Sequence, residues 1–306
     1  MPRRTSWLGR AVCAAVLWMS LVSVASAGEY DYLLVSSWYT NSVLRYDGQT
    51  GGFMDVFASG GGLSRPSGLA VGRDGSLLVS SWGSDQILRF NSSTGAFIDV
   101  FASGGGMDYP GQMTFGPDGH LYVSNINGHS IGRYDGLTGQ FIDMFIPEHS
   151  GDLWYPDGVT FGPDDNLYVA ICNGWKILRY DGVTGDYIDV FASYAVDSPS
   201  DLVFRSDGYL YSPQFQDDCV RRYNADTGAY VDTFASGGGL QNPTGLAFGP
   251  DGDLYVSGFY SHNVVRYDGD TGVLLNVFVP SNSGGLSGAT AVQEDSGIVV
   301  RLVVRG

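Results

Sequence analysis

Pro66-Ser-Gly-Leu-Ala-Val-Gly-Arg-Asp-Gly-Ser-Leu-Leu-Val-Ser80, followed by Asp85-Gln-Ile-Leu-Arg-Phe90 and Phe97-Ile-Asp-Val-Phe101, sets out an architecture in one stretch. Its apolar residues fall in four short runs, Gly68–Val71, Leu77–Ser80, Ile87–Phe90 and Phe97–Phe101. These are too short for helices and rich enough in Val, Ile and Phe for strands. Arg73-Asp-Gly75 joins the first two runs and Asn91-Ser-Ser-Thr-Gly95 the last two. Both are tight-turn chemistry, because Asp and Asn bond their own backbone and Gly takes positive φ. The unit is a four-stranded meander, with strands a, b, c and d in chain order.

The same unit recurs along the chain. Arg45, Arg89, Arg133, Arg179, Arg222 and Arg266 occupy one slot, separated by 44, 44, 46, 43 and 44 residues. A four-stranded meander of about 40–45 residues repeated in series is a propeller blade, so six copies predict an all-β, six-bladed β-propeller of antiparallel blades over residues 28–297. The phase predicts how the ring closes. The first strand, Tyr32–Val35, is of type b, and the last a-like segment is Gly288–Val292. The C-terminal a strand therefore completes the blade begun by the N-terminal b, c and d strands. Ile298–Val304 reads as a surplus strand without a slot, leaving 298–306 as a tail.

Composition narrows the class. Of 306 residues 45 are Gly, with 16 Lys or Arg against 32 Asp or Glu and 43% hydrophobic residues, which suits a packed, loop-rich β-protein and excludes a disordered chain. A net charge of −16 opposes a phosphate-tracking surface, so no nucleic acid is expected as a partner. Arg3, Arg4 and Arg10 precede an apolar run from Ala11 to Val24 and then Ala25-Ser-Ala27. This pattern predicts a signal peptide over 1–27, secretion or a periplasmic location, and no transmembrane anchor after cleavage. With those three arginines gone, 13 basic residues stand against 32 acidic ones, a net charge of −19. Cys172 and Cys219 remain as an even pair that sequence leaves either bridged or free.

Pro66–Ser80 with Asp85–Phe90, and Pro243-Thr-Gly-Leu-Ala-Phe-Gly-Pro-Asp-Gly-Asp-Leu-Tyr-Val-Ser257 with His262-Asn-Val-Val-Arg-Tyr267, resemble NHL repeats, and the resemblance extends from about Tyr32 to Val292. It implies the fold more than an activity. NHL-type propellers include protein-binding and RNA-binding modules, and propellers related in fold, the gluconolactonase-like proteins and virginiamycin B lyase, include lactonases and lyases. This chain lacks the basic face of the RNA-binding members.

Most repeated residues are expected to be structural. Strand d carries Asp55, Asp99, Asp143, Asp189 and Asp232, with Asn276 in the sixth copy, each about one pairing step across the hairpin from the repeated Arg. Cross-strand ion pairs of about a few tenths of a kcal/mol each follow. His129 and His262 share the slot before strand c with Asn41, Asp85, Trp175 and Asp218, on opposite blades too far apart to share a metal.

A site for one ligand must break the pseudo-symmetry. Strand alternation puts the a–b and c–d turns on one face and the b–c and d–a loops on the other, and the second face carries nearly all the variation. The Phe-Ala-Ser-Gly-Gly-Gly loops of copies 1, 2 and 5 become Ile146–Tyr155 in copy 3 and Tyr194-Ala-Val-Asp197 in copy 4. At the start of strand a, the slot holding Ser67, Gly111, Ser200, Thr244 and Ser287 holds Asp157, and the next slot, usually Gly, holds Gln112 and Asp201. Asp157 and Asp201, with Asn125, Asn127 and Asn173 nearby, are the oxygen donors a hard cation such as Ca2+ accepts. This is loosely similar to the axial metal site of gluconolactonase-type propellers, but no Glu begins a central strand. Channel waters or strand-end hydrogen bonds are the structural alternative.

Trp38, Trp82, Phe215 and Phe259 end strand b, where the other copies have Ile126 and Cys172. Facing the channel mouth with Trp154, Tyr155 and Tyr194, they would form an apolar rim for a sugar or peptide; turned inward, they would be blade packing. Two functions stay open. One is an exported, monomeric binding or scaffold module whose loop face takes a protein, peptide or carbohydrate. The other is a metal-dependent lyase or lactonase with an axial cation and His149 or another loop residue as base. A purely structural surface element would share the first one's features.

Overall fold

The computed structural model describes residues 32–294. The signal peptide expected at 1–27 and the surplus strand and tail at 298–306 lie outside the described residues. The described residues form 24 strands in six four-stranded antiparallel sheets, each ordered a-b-c-d from the axis outward. Five blades are continuous in sequence: Pro66–Ser103, Pro110–Ile146, Pro156–Ala192, Val203–Ser236 and Pro243–Val279. The remaining blade, counted first, joins Ala289–Glu294 as its a strand to Tyr32–Ser59, with Leu33 opposite Glu294, Val35 opposite Val292 and Ser37 opposite Ala289. The closure read from the repeat phase is thus the observed one. No helix of the described residues is long and apolar enough to cross a membrane.

Period-two alternation builds the core. Leu33 and Val35 pack against Tyr255 and Phe278 of blade 6, while Leu34 between them packs against Leu77 and Val79 of blade 2. Each of six hydrophobic clusters fills one junction between neighbouring blades. Burying each such Leu, Val or Phe contributes about 1.5–3 kcal/mol, so the ring is held by its junctions rather than by one central core. The axis is left open for other chemistry.

The outer hairpins bind as the spacing implies, with Arg and Asp directly opposite rather than one step apart. Arg45 pairs with Asp55, Arg89 with Asp99 and Arg133 with Asp143, each at 2.5 Å, and Arg179 with Asp189 and Arg222 with Asp232 at 2.6 and 2.7 Å. Where the sixth copy has Asn276, Arg266 turns instead to Asp253 and Asp251 at 2.7 and 2.6 Å. In every blade the guanidinium also lies 4.9–5.9 Å from the centre of the Phe ring that closes strand d.

The c–d turns are near copies of one another. Asp47 Oδ1 accepts hydrogen bonds from the Thr50 backbone N–H at 2.8 Å and the Thr50 hydroxyl at 2.7 Å, and Asn91, Asp135, Asp181, Asn224 and Asp268 accept the same backbone bond in their own turns. The closing Gly is obligatory: Gly95 has φ +68°, and a Cβ there would stand 1.7 Å from the Phe57 carbonyl oxygen of the preceding blade.

Candidate functional site

The residue that the sequence pattern puts at the end of each b strand stands one position beyond it, on the loop face, and is held by one repeated backbone bond. The N–H groups of Trp38, Trp82, Ile126, Cys172, Phe215 and Phe259 donate to the carbonyls of Gly288, Arg65, Tyr109, Tyr155, Ser198 and Asn242, at 2.9–3.3 Å. Six equivalent side chains are thereby presented around the axis. Five of them, all but Cys172, line a central cavity of about 160 Å³. The aromatic members form an arc: Trp82 and Trp38 rings are 5.0 Å apart, Trp38 and Phe259 6.1 Å, and Phe259 and Phe215 6.3 Å. Trp82 is backed by Tyr109, stacked at 3.7 Å. The cavity floor consists of central-strand side chains, Ser67, Gln112, Asp157, Thr244 and Thr290.

Thr290 there is a correction. The pattern Leu-Ser-Gly at 286–288 imitates Pro-Ser-Gly at 66–68 and put Ser287 in the axial slot, but Ala289 lies opposite Ser37 as Pro66 lies opposite Ser81. Thr290 is therefore the equivalent of Ser67. No Pro marks that strand, which completes the first blade, so its start is silent in sequence.

Two floor hydroxyls are engaged with neighbouring blades: Thr244 Oγ1 donates to Ala289 O at 2.7 Å and Thr290 Oγ1 to Pro66 O at 2.8 Å. Asp157 differs, because among the described residues no donor is hydrogen-bonded to its carboxyl oxygens. Burial, and then the charge of Asp201, push its carboxyl up to about 8. Asp201 lies just before the adjacent central strand, Val203–Arg205, and does not line the cavity. Its oxygens accept from the N–H groups of Leu202 at 2.8 Å and Leu246 at 3.3 Å, and burial still raises its carboxyl to about 7. Cys172 stays a neutral thiol, raised to about 12 by burial and by Asp157; Cys172 and Cys219 are both free.

As a calcium site this donor set is short. Calcium takes about six to eight oxygens, whereas one of the two carboxylates is already held by backbone N–H groups. Among the described residues no three His, Cys, Asp or Glu side chains are grouped to hold an ion.

The other sequence-selected residues divide. Trp154, Tyr155 and Asn173 line a second cavity of about 380 Å³ on the same face, with Asp152 and Lys176, which form an ion pair. Trp154 packs at 3.9 Å on His149, and Tyr155 at 4.5 Å on His129. Tyr194 stands apart, 77% exposed with its ring 6.0 Å from Tyr230. Asn127 is exposed and bonded to Asp108 at 2.7 Å. Asn125 lies behind the rim, fully buried, with its amide N–H donating to Ser130 Oγ at 3.2 Å. Gln112, Ile126, Thr290 and Lys176 enter through geometry; in sequence Gln112 departs from Gly and Ile126 from the aromatic slot, while Thr290 and Lys176 carry no such mark.

The slot shared by His129 and His262 is a latch between blades. Asn41, Asp85 and Asp218 accept the N–H of Arg65, Tyr109 and Asn242 at 2.7–2.9 Å, and His129 Nδ1 and His262 Nδ1 accept those of Tyr155 and Gly288 at 3.1 and 2.9 Å. The acceptor residues all have φ near +50°. Trp175 occupies the sixth slot, and an indole has no acceptor to offer. At that junction the next a strand shortens to Val203–Arg205, against six residues in the other blades.

No protein-family model matches the sequence, and no curated protein matches it. Solved structures do resemble the fold. A protein of unknown function from Bacteroides caccae is 14% identical, with a TM-score of 0.67 over 87% of this chain and 98% of that one. A chain of a nidogen/laminin complex is 16% identical, with a TM-score of 0.66 over 85% and 97%. A catalytically inactive virginiamycin B lyase from Staphylococcus aureus, solved with quinupristin, is 18% identical, with a TM-score of 0.52 over 71% and 72%. At these identities the likeness is one of propeller fold.

Proposed function

We propose that the chain is an exported, NHL-like binding module that works as a monomer through its loop face, with a protein, peptide or carbohydrate ligand. The observation that carries this is the axial cavity, where Trp38, Trp82, Phe215 and Phe259 surround a polar floor. Binding sites commonly combine apolar, aromatic walls with a few convergent polar groups. At about 160 Å³ the cavity is below the usual range of about 300–1,000 Å³ for whole small ligands, so it suits one projecting group of a larger ligand. The NHL reading rests on the repeated Pro-x-Gly-Leu-Ala and Asp-Gly segments of the sequence itself.

Peptide and glycan arrays probed with residues 28–306 test the proposal. Binding to a defined subset, lost in Trp82→Leu with unchanged thermal stability, is expected. Binding that survives Trp82→Leu and Phe259→Leu together would refute it.

One feature favours a metal-dependent lyase or lactonase as the second function: Asp157 faces the cavity without a protein donor. Calorimetric titration of Ca2+ into chelator-treated protein decides. A single tight site abolished by Asp157→Ala would move this function to first place; heats that the substitution leaves unchanged would remove it.

A further inference from the structure

The axial cavity joins three properties that a neutral ligand would not require together. Its wall is an arc of four aromatic rings, inclined 53°, 74° and 50° to one another in succession rather than stacked shut. Its floor holds Asp157, whose environment contains the like charge of Asp201 and no cationic side chain among the described residues. Its third polar group, Gln112, is 9% exposed and lines the cavity, and its side-chain amide makes no hydrogen bond among the described residues. A buried amide left so is expected to meet a ligand or water.

Aromatic faces attract a cation through the ring quadrupole, by about 0.5 kcal/mol at exposed sites to about 2 or more when desolvated. Asp157 beneath them keeps its proton at neutral pH while the cavity is empty, and an entering ammonium favours its ionisation, so that the carboxylate supplies the opposite charge in a setting where water screens it poorly. The collar already shows this affinity, since the Arg65 guanidinium sits 5.2 Å from the Trp82 ring centre. Arg65 is itself exposed and does not line the cavity. At about 160 Å³ the space admits a compact head such as a methylated ammonium rather than a whole sugar or nucleobase. The net charge of −16 draws cations to the molecule before they reach the cavity.

From this geometry we infer that the axial cavity binds an organic ammonium group, with Trp38, Trp82, Phe215 and Phe259 as its cage and Asp157 as its counter-charge. The inference deepens the binding-module proposal and rests on it, naming the chemistry of the projecting group. That group can belong to a lysine side chain of a protein or to a free quaternary ammonium; the chemistry is shared.

The experiment follows tryptophan fluorescence and calorimetric heat as choline, tetramethylammonium, or a peptide carrying trimethyl-lysine is added to the protein. 3,3-Dimethylbutan-1-ol, the uncharged carbon analogue of choline, is the control. Choline is expected to bind at least about tenfold more tightly than this alcohol. Asp157→Asn, nearly isosteric, is expected to remove most of that tenfold, and Trp82→Leu, which keeps apolar bulk but loses the π face, to weaken the cations and spare the alcohol. If only the peptide binds, a protein lysine is the source; if the free cations bind as well as the peptide, a small molecule is.

Equal binding of choline and the alcohol, affinity for cations unchanged in Asp157→Asn, or no binding of any ammonium probe would overturn the inference. Array binding that depends on Trp82 would survive each of these results, so failure here is distinguishable from failure of the binding-module proposal. Tight Ca2+ binding that displaces choline would assign the floor to a metal and likewise overturn it.

Discussion

On one face of the ring, Asp47, Asn91, Asp135, Asp181, Asn224 and Asp268 all accept from the Thr three residues on; on the other, the six equivalent positions are Trp38, Trp82, Ile126, Cys172, Phe215 and Phe259. The backbone bonds are as regular on the second face as on the first. What differs is that the turn-face side chains are consumed in making the turn, while these six loop-face positions are held by their backbone bonds and their side chains are free to vary. The turn-making side chains and the variable ones thus stand at opposite ends of the same strands.

Breaking the turn face should cost most. Gly95→Ala combines φ +68° with a Cβ that would stand 1.7 Å from Phe57 O, while Gly75→Ala at φ +79° meets nothing within 4 Å. Strain plus displacement predicts a loss of roughly 3 kcal/mol or more for Gly95→Ala and about 1 kcal/mol for Gly75→Ala, read from urea midpoints. Similar losses for both would mean that the inter-blade clash is relieved at no expense.

Next comes the pH response of the floor. The carboxyls of Asp157 and Asp201 are raised to about 8 and about 7, above their unfolded value of 3.8. The folded chain therefore keeps protons that the unfolded chain releases, and stability is fullest below about pH 4 for these two groups and declines as pH rises toward 8. Asp157→Asn should flatten that decline between pH 5 and 8.5, measured as the difference in unfolding free energy. An unchanged slope would show that the carboxylate is solvated well enough to ionise freely.

Smaller effects attend the latch. Asp85→Ala removes an acceptor for Tyr109 N–H and should cost about 1 kcal/mol, whereas Trp175→Asp supplies the missing acceptor at the fourth junction and should gain about 0.5–1 kcal/mol. Hydrogen exchange of the Ser198 amide reports the second directly, and no change in its protection would exclude a restored bond. Smallest of all, a double-mutant cycle on Arg45 and Asp55, whose side chains are 21% and 45% exposed, should give only about 0.2–1 kcal/mol. The ion pairs decorate the ring; the junctions hold it.

Sequence reading recovers the fold because the repeat is written in residues with single structural uses: Gly closing a turn, Asp capping it, Arg opposite Asp. It recovers the location of variation for the same reason, since a departure is visible against six copies. Side-chain direction at strand ends is another matter. Asn125 and Ile126 are adjacent, yet one is buried behind the rim and the other lines the cavity, because one step along a strand reverses the side chain. Thr290 was hidden by the absence of a Pro, and the pairing of Lys176 with Asp152 by their separation of 24 positions.

The closure of the ring also fixes how the molecule can be tethered. Tyr32 begins its strand opposite Asp47, at the start of a c–d turn, and Glu294 ends its strand opposite Leu33, so both ends of the described chain emerge side by side on the turn face. Anything fused or anchored at either end grips the molecule from beneath and leaves the aromatic collar pointing away from the support. A surface gripped at these two strand ends, Tyr32 and Glu294, would display both cavities outward.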